Sequence, residues 1–243
     1  MAIVTLNRLK AYNAISQKMV LEMEDAFLKI EKDKNVRCVV VTGGDKVFAS
    51  GGDIGFMADA NKEQVTSYIE DCQRSFGRIE ESGKPYIAAV NGVALGGGLE
   101  LVLTCDIRIA NVKSKFGTPE IGLGIFPGCG GTQRLARAVG SGFAKYMVFT
   151  GENISAQKAE EMGLIQFTTE GNALDEALKL ANKIAEKSPD AMQAAKHCMN
   201  YNIQEELPGA LKNERETWVS LFGTENQQEG MHAFLEKRKP EFK

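Results

Sequence analysis

Two glutamates stand where their surroundings would give a carboxylate work to do. Glu100 follows the run Gly96-Gly97-Gly98 by two residues, and Glu120 follows Pro119 in the segment FGTPEIGLG. Chemistry across a carbon-carbon double bond needs one group to activate water and another to deliver a proton, and two carboxylates in unlike environments can divide those tasks. Glu120 has Phe116, Ile121 and Leu123 as neighbours, so a charge there is out of place unless it is used. Each residue also has an ordinary alternative. Glu100 can be a glutamate answering a helix dipole, and Glu120 a solvated loop residue.

The glycines near them form a second set. A triple glycine between a buried strand and a helix lets backbone N–H groups approach a ligand, and the helix opening adds unsatisfied donors and positive partial charge. Ser50-Gly51-Gly52-Asp53 repeats the arrangement after an earlier buried strand. Two such turns at the ends of two strands of one sheet can converge on one oxygen, as an oxyanion hole requires. Taken singly, the triple glycine reads equally as tight packing of helix on strand, and SGGD as a turn with Asp53 capping a helix.

Competing chemistries lack their parts. No GxGxxG opens a helix after a strand, and neither GxxxxGK[ST] nor GxSxG occurs. The five cysteines are widely spaced with no CxxC pair, and His197 and His232 are the only histidines. That is a poor disulfide framework and a poor metal site, so the thiols are expected reduced and packed as small hydrophobes, with no bound metal. A net charge of −3 gives no general reason to bind nucleic acid or an anionic membrane. No apolar run approaches the roughly 20 residues that span a bilayer, and Met1 leads straight into the strand-like AIVTL without a signal-peptide pattern. A soluble, cytoplasmic protein is expected.

The elements that must position these residues follow from periodicity. Strands are expected over Ala2–Leu6, Arg37–Thr42, Pro85–Val90 and Asp106–Ala110, with a brief extended piece at Lys115–Gly117. Helices are expected from about Ser16, as N-cap, to Lys32, from Lys62 to Glu81, and from Leu99 towards Thr104. FASGGDIGFM and GIFPGCGGT read as glycine-rich loops. Beyond them the chain turns helical over 136–149, 156–162, 174–187, 189–200 and 207–221. Strands alternating with helices argue an α/β fold, and Ser188-Pro189 marks a soft boundary between a core, 1–188, and a helical region, 189–243.

Taken together, NRLKAYNA (7–14), FASGGDI (48–54), KPYIAAVNGVALGGGLEL (84–101), CDIRIA (105–110), FGTPEIGLGIFPGCGGTQRL (116–135) and EGMHAFLEKRKPEF (229–242) resemble the enoyl-CoA hydratase, or crotonase, family in collinear order. The resemblance implies a crotonase-like spiral of ββα units with a C-terminal helical trimerisation region, assembled as a homotrimer or as a homohexamer, a dimer of trimers. It implies an oxyanion hole from the amides of Gly52 and Gly97. Asp53, Ile54 and Gly55 would line the path of the CoA and acyl groups, and Glu100 and Glu120 match the catalytic glutamates at the family's interval. Lys237, in the run Lys237-Arg238-Lys239, matches a C-terminal element from which a lysine can reach the CoA phosphates. The expected substrate is an acyl-CoA thioester, with no cofactor beyond the coenzyme A it carries, and the expected reaction is reversible hydration of a trans-2-enoyl-CoA. The alternatives are an enoyl-CoA isomerase of the same fold, which manages with one carboxylate, and a non-catalytic CoA-ester-binding or RNA-binding protein. Leu9 departs from the family, which has proline in NRP.

Overall fold

The structure, a computed structural model, describes residues 1–201 and 207–243. The chain begins β1 (Ala2–Thr5), α1 (Gln17–Lys32), β2 (Val39–Thr42), α2 (Ile54–Asp59), α3 (Lys62–Glu81), β3 (Tyr86–Val90), β4 (Val93–Leu95), α4 (Gly97–Thr104), β5 (Ile107–Asn111) and β6 (Lys115–Gly117). A 3-10 turn at Pro119–Leu123 leads into α5 (Gly131–Thr150), β7 (Ile154–Ser155), α6 (Ala156–Glu161), β8 (Phe167–Thr169) and α7 (Ala173–Ala185). Three further helices follow, α8 (Pro189–Tyr201), α9 (Leu207–Ser220) and α10 (Glu225–Leu235).

Local chemistry sets the helix starts. The Ser16 side chain accepts the Met19 N–H at the head of α1, and Asn61 with Gln64 forms a reciprocal capping box at the head of α3. Met19, Val20, Met23 and Phe27 of α1 recur at helical spacing and are buried. The main sheet is all parallel in the order β1-β2-β3-β5-β8, with Val39 opposite Tyr86 and Ile87 opposite Ile107. Strand β2 is buried throughout because both faces are covered. Val39 and Val41 join the core under α1 and α3, with Phe27 and Phe76, while Cys38 and Val40 join a second core against Ala173, Ala177 and Ala181 of α7.

A second sheet is much shorter. β4 pairs parallel with β6, and β6 pairs antiparallel with β7. Single parallel bridges, Ala49 to Ala94 and Ile15 to Gly52, extend it on the other side. The chain thus repeats one move: a strand in the long sheet, a residue or short strand in the small sheet, then a helix. Those repeats stack as the expected ββα spiral. The expected loop after Phe48 contains α2, with Asp53 capping it by accepting the Phe56 N–H. Helix α5 starts at Gly131, earlier than periodicity suggests, and is kinked at Gly140.

The C-terminal helices are fastened to the core through a buried lysine. Lys196 of α8 is 6% exposed, and its ammonium donates to the carbonyls of Ile79 and Lys84 at 2.8 and 2.9 Å and to Asp106 at 2.9 Å. The same Asp106 oxygen accepts the Tyr86 N–H at 2.7 Å, so one carboxylate ties α8 to β3. Replacing Lys196 by methionine takes the cation from Asp106, whose side chain is 26% exposed, and leaves the Ile79 and Lys84 carbonyls without their shared donor, a loss of about 1–3 kcal/mol. Urea unfolding of Lys196→Met is therefore expected to show a clearly lower midpoint with an unchanged slope.

Candidate active site

Neighbouring strands of a parallel sheet end on the same side, so whatever follows each strand gathers there. In the small sheet, the segment through Ala49 to Gly52, then β4, then β6 lie in that sequence, and they are followed by Asp53, by Gly96-Gly97 and by the turn holding Glu120. Gly51 has φ 123° and Gly96 has φ 49°, conformations that a side chain rarely permits. A Cβ placed on Gly97 would stand 3.6 Å from the Gly52 nitrogen, and one on Gly96 3.6 Å from Gly51 Cα. The two glycine turns are therefore in direct contact.

Both amides of interest are open. The bridge to Ile15 uses the Asp53 N–H, on the Ile15 carbonyl at 3.2 Å, and the Gly51 carbonyl, which accepts the Ile15 N–H at 2.8 Å. Gly52 therefore points its own N–H away from that bridge. Gly97 is the first residue of α4, where an N–H has no partner inside the helix. Two donors side by side at a helix start make a site for an oxygen that gains negative charge.

Glu100 lies on α4, every residue of which is buried. It is 2% exposed, and its Oε1 accepts the Gly131 N–H at 2.7 Å from the start of α5. Burial raises its pKa to about 7; the Gly131 hydrogen bond pulls the other way, and the nearby Glu120 charge raises it again. Among the described residues no lysine or arginine forms an ion pair with it. The carboxyl is thus poised to exchange a proton near neutrality.

Glu120 sits in the 3-10 turn after β6, directly beside Gly96, where a Cβ would fall 2.7 Å from its Oε1. Its other oxygen, Oε2, is enclosed and has no hydrogen-bond partner. Burial raises its pKa too. An unpaired buried carboxyl oxygen is costly and calls for a role. The glycines, Glu100 and Glu120 are brought together around Gly96, whose carbonyl also accepts the Glu100 N–H at 2.9 Å.

The remaining expected residues are placed differently. Asp53 caps α2 and pairs with Arg8 at 2.8 Å, so its carboxylate is a structural tie beside Gly52. Ile54 and Gly55 open α2, and Ile54 is about half exposed. Lys237 follows α10 with φ 58° and an exposed side chain, and its N–H bonds back to Phe234. That segment is tied to the core by Arg37, which donates to the Phe242 carbonyl at 2.8 Å, and by the Lys239–Glu186 pair, and no contact among the described residues brings Lys237 to the carboxylate pair.

Three supporting residues escape sequence reasoning. Asn13 is fully buried at φ 55°, and its amide donates to the carbonyls of Gly43, Val47 and Phe48, tying the NRLKAYNA segment to the loop that carries Gly52. Arg8 joins that segment to Asp53 while also donating to the Ala14 carbonyl. Tyr68 of α3 donates to the Ile15 carbonyl at 2.8 Å, and its hydroxyl stands 3.2 Å from where a Gly52 Cβ would be. Asn13 had a signal in its motif; Tyr68 had none, because its partner lies 53 residues away.

Adjacent open backbone amides, with carboxyls of raised pKa alongside, suit a substrate whose carbonyl gathers charge while protons move next to it, the kind of site an acid-base enzyme has. A model of the enoyl-CoA hydratase/isomerase family matches residues 1–243. The chain is 44% identical over 242 residues to the short-chain-enoyl-CoA hydratase of Clostridium acetobutylicum, covering 99% of this chain and 93% of that protein. It is 42% identical over 244 residues to the crotonyl-CoA hydratase of Syntrophomonas wolfei, covering 100% of this chain and 94% of that one. The crystal structure of an enoyl-CoA hydratase from Bacillus anthracis matches with a TM-score of 0.96 at 38% identity, over 99% of this chain and 94% of that one. The chain belongs to the enoyl-CoA hydratase/isomerase family.

The buried carboxyl has a consequence for stability. The native chain keeps the Glu100 proton up to about pH 7, whereas the ordinary value is 4.5, so between these the native state binds more protons than the unfolded one. Stability contributed at this site therefore falls as pH rises through that window and levels off above it, by roughly 3 kcal/mol in all at about 1.4 kcal/mol per pH unit. Glu100→Gln has no such proton to lose. Urea unfolding at pH 5 and pH 8 is expected to show the variant gaining on wild type at the higher pH, and an equal difference at both would place the Glu100 carboxyl in water.

Proposed function

We propose that the protein is an enoyl-CoA hydratase, catalysing reversible syn addition of water to a trans-2-enoyl-CoA to give a 3-hydroxyacyl-CoA in fatty-acid or related acyl-CoA metabolism. The observation that carries this reading is the contact of the open Gly52 and Gly97 turns beside the buried Glu100 and the half-buried Glu120, whose pKa values are both raised. The names of its relatives support the acyl-CoA substrate class.

In this mechanism the thioester carbonyl oxygen accepts hydrogen bonds from the Gly52 and Gly97 N–H groups. Their pull makes C3 electrophilic and holds the enolate charge that forms on that oxygen, a contribution on the order of 3 kcal/mol per donor at comparable sites. Glu100, ionised, removes a proton from water as the oxygen bonds to C3. Glu120, protonated, delivers a proton to C2 as the enolate collapses to the thioester. Dehydration runs the same steps backwards. Burial raises the pKa of both carboxyls, and a value near 7 lets Glu100 give and take a proton at the working pH. The reaction needs no cofactor beyond the coenzyme A of the substrate.

Double-bond isomerisation on the same fold is the second reading, and the presence of both carboxyls at the site favours hydration. Passive CoA-ester or RNA binding leaves unexplained why two carboxyls of raised pKa stand beside open amides, and a net charge of −3 lends RNA binding no support. Assembly as a homotrimer or homohexamer is part of the proposal. It is supported by exposed apolar side chains on α9, on α10 and in the turn between them, among them Trp218, Phe222, Phe234 and Leu235, which a neighbouring copy would cover. In such an assembly Lys237 would serve the CoA phosphates. A cytoplasmic location accords with the five free cysteines, and no helix among the described residues is long and apolar enough to cross a membrane.

Loss of the conjugated thioester absorbance of crotonyl-CoA in water tests the reading. Wild type is expected to turn over, with kcat/KM falling on the acid side about a limb near pH 7 as Glu100 takes up its proton. Glu100→Gln and Glu120→Gln are each expected to lose roughly 100- to 10,000-fold. If wild type is inert, or either variant keeps its rate, the two-carboxylate mechanism fails. Gly97→Ala is a sharper probe of the amides. Its methyl meets the Gly52 nitrogen at an ordinary 3.6 Å, so the chain should fold normally while the methyl crowds an oxygen off the Gly52 donor, and kcat should fall about 100-fold, as on loss of one such donor.

A further inference from the structure

Outside the carboxylate pair, the part of the molecule most tightly built against Glu100 is the turn Cys129-Gly130-Gly131. Gly131 offers its N–H to Glu100 on one side, and a Cβ there would strike Glu100 Oε1 at 2.7 Å and Pro127 at 2.8 Å. On the opposite side lies Arg134 of α5. Its Nη1 donates to the Cys129 carbonyl at 2.9 Å, and a Cβ on Gly130, at φ 100°, would fall 2.0 Å from the same nitrogen. The turn is clamped between a guanidinium and a carboxyl with no side-chain volume to spare.

The guanidinium is itself fixed. Its Nε and Nη2 donate to the two oxygens of Glu80 at 2.8 and 2.5 Å, a bidentate pairing that sets the plane of the group. Glu80 belongs to the end of α3, and its carbonyl accepts the Asn200 amide of α8 at 2.9 Å. The Arg134 side chain is 18% exposed and that of Glu80 is 40% exposed, so as an ion pair this contributes only about 1 kcal/mol or less to stability. Its orientation matters more. Cys129 C=O faces outward to Arg134 and Gly131 N–H faces inward to Glu100, so any rotation of the turn breaks both bonds at once.

We propose that Arg134, braced by Glu80, is a positioning residue that locks the Cys129-Gly131 turn and so keeps the Gly131 N–H on Glu100. The positioning stands on geometry alone; its effect on rate rests on the hydratase reading. Other titratable groups facing Glu100 are Glu120 from the 3-10 turn and the Cys129 thiol, with Cys72 and Tyr68 of α3 behind that thiol. Of these only Cys129 lies on the turn that Arg134 holds, and its contacts with Glu100 also favour the ionised carboxyl, so their loss moves the titration the same way as loss of the Gly131 bond. Loss of the Gly131 bond removes a contact that favours the ionised carboxyl, so Glu100 holds its proton to higher pH.

The test reads Glu100 directly and through turnover. Infrared titration of the carboxyl in substrate-free protein, differenced against Glu100→Gln, is expected to place the Arg134→Gln midpoint about one pH unit above wild type. Glu80→Gln, which keeps the shape of the brace but weakens it, should move the midpoint the same way by less. Arg134→Lys should fall between wild type and Arg134→Gln. The acid limb of crotonyl-CoA hydration should shift with the carboxyl, and kcat should fall about tenfold while KM changes little. Arg74→Gln is the control, since it breaks the α3 pairs with Glu24 and Asp71 at 2.9 and 2.7 Å away from the turn and should leave the titration where it was. If Arg134→Gln and Glu80→Gln lower the unfolding midpoint as Arg74→Gln does but leave the Glu100 titration unmoved, the pair is only a tie between helices and the proposal is overturned. A shifted titration in a protein that never hydrates crotonyl-CoA would uphold the positioning and sink the hydratase reading instead.

Discussion

The molecule is organised around the closeness with which two successive turns of its spiral meet in the small sheet. A Cβ on Gly98 would lie 2.6 Å from the Ala49 carbonyl, and the neighbouring positions Gly96 and Gly97 meet Gly51 and Gly52 at 3.6 Å. Backbone packs on backbone there, which only glycine allows. The Ala49–Ala94 bridge holds the two strands in register, and the Leu95 N–H reaches the Ala49 carbonyl at 3.0 Å. Were the strands farther apart, the Gly52 and Gly97 amides could not share one oxygen. The distance between them is thus a property of the sheet, not of any flexible side chain.

That packing also sets the electrostatics. Helix α4 starts inside the glycine run, at Gly97, so its first turn carries Glu100 into the core, and burial of a carboxyl disfavours its ionised form. The structure tolerates the cost by giving Glu100 one short N–H bond while leaving Glu120 Oε2 without a partner. Rigidity around the pair comes from long-range hydrogen bonds: Asn13 on three carbonyls, Tyr68 on Ile15, Arg8 on Asp53. Each ties one turn of the spiral to the next, so the site is held by the stacking of the repeats.

Much of this was legible in the sequence, and the limits were physical. The buried strands β2 and β3 announce themselves as unbroken apolar runs because a parallel sheet is covered on both faces. Strands β4, β7 and β8 are two or three residues long and leave no periodic trace, so the small sheet that aligns the glycine turns was invisible as a sheet. Glu100 and Glu120 were unconvincing singly, since a dipole-facing glutamate and a loop glutamate have the same local patterns; their neighbourhood emerged only from the collinear motifs. The turn at Pro119–Leu123 and the short helix α2 were masked by glycine and proline. Arg134 pairs with a residue 54 positions away, a distance at which spacing carries no information.

The division of labour between backbone and side chains explains how such a fold can host related reactions. In the proposed mechanism the anion-stabilising amides are those of Gly52 and Gly97, positioned by strand register, so no side-chain substitution removes them unless it disturbs the packing of the turns, and the acid-base work falls to Glu100 and Glu120. The acid-base groups are side chains carried on α4 and on the 3-10 turn, elements attached after the strands end. Changing either carboxyl alters which proton moves and leaves the stabilised enolate intact. Hydration needs two such groups on one substrate, one for water and one for carbon, whereas moving a double bond needs a single group that serves both positions. A family named for both hydratases and isomerases is what this separation allows, and in the proposed reading the presence of both Glu100 and Glu120 sets this chain on the hydrating side.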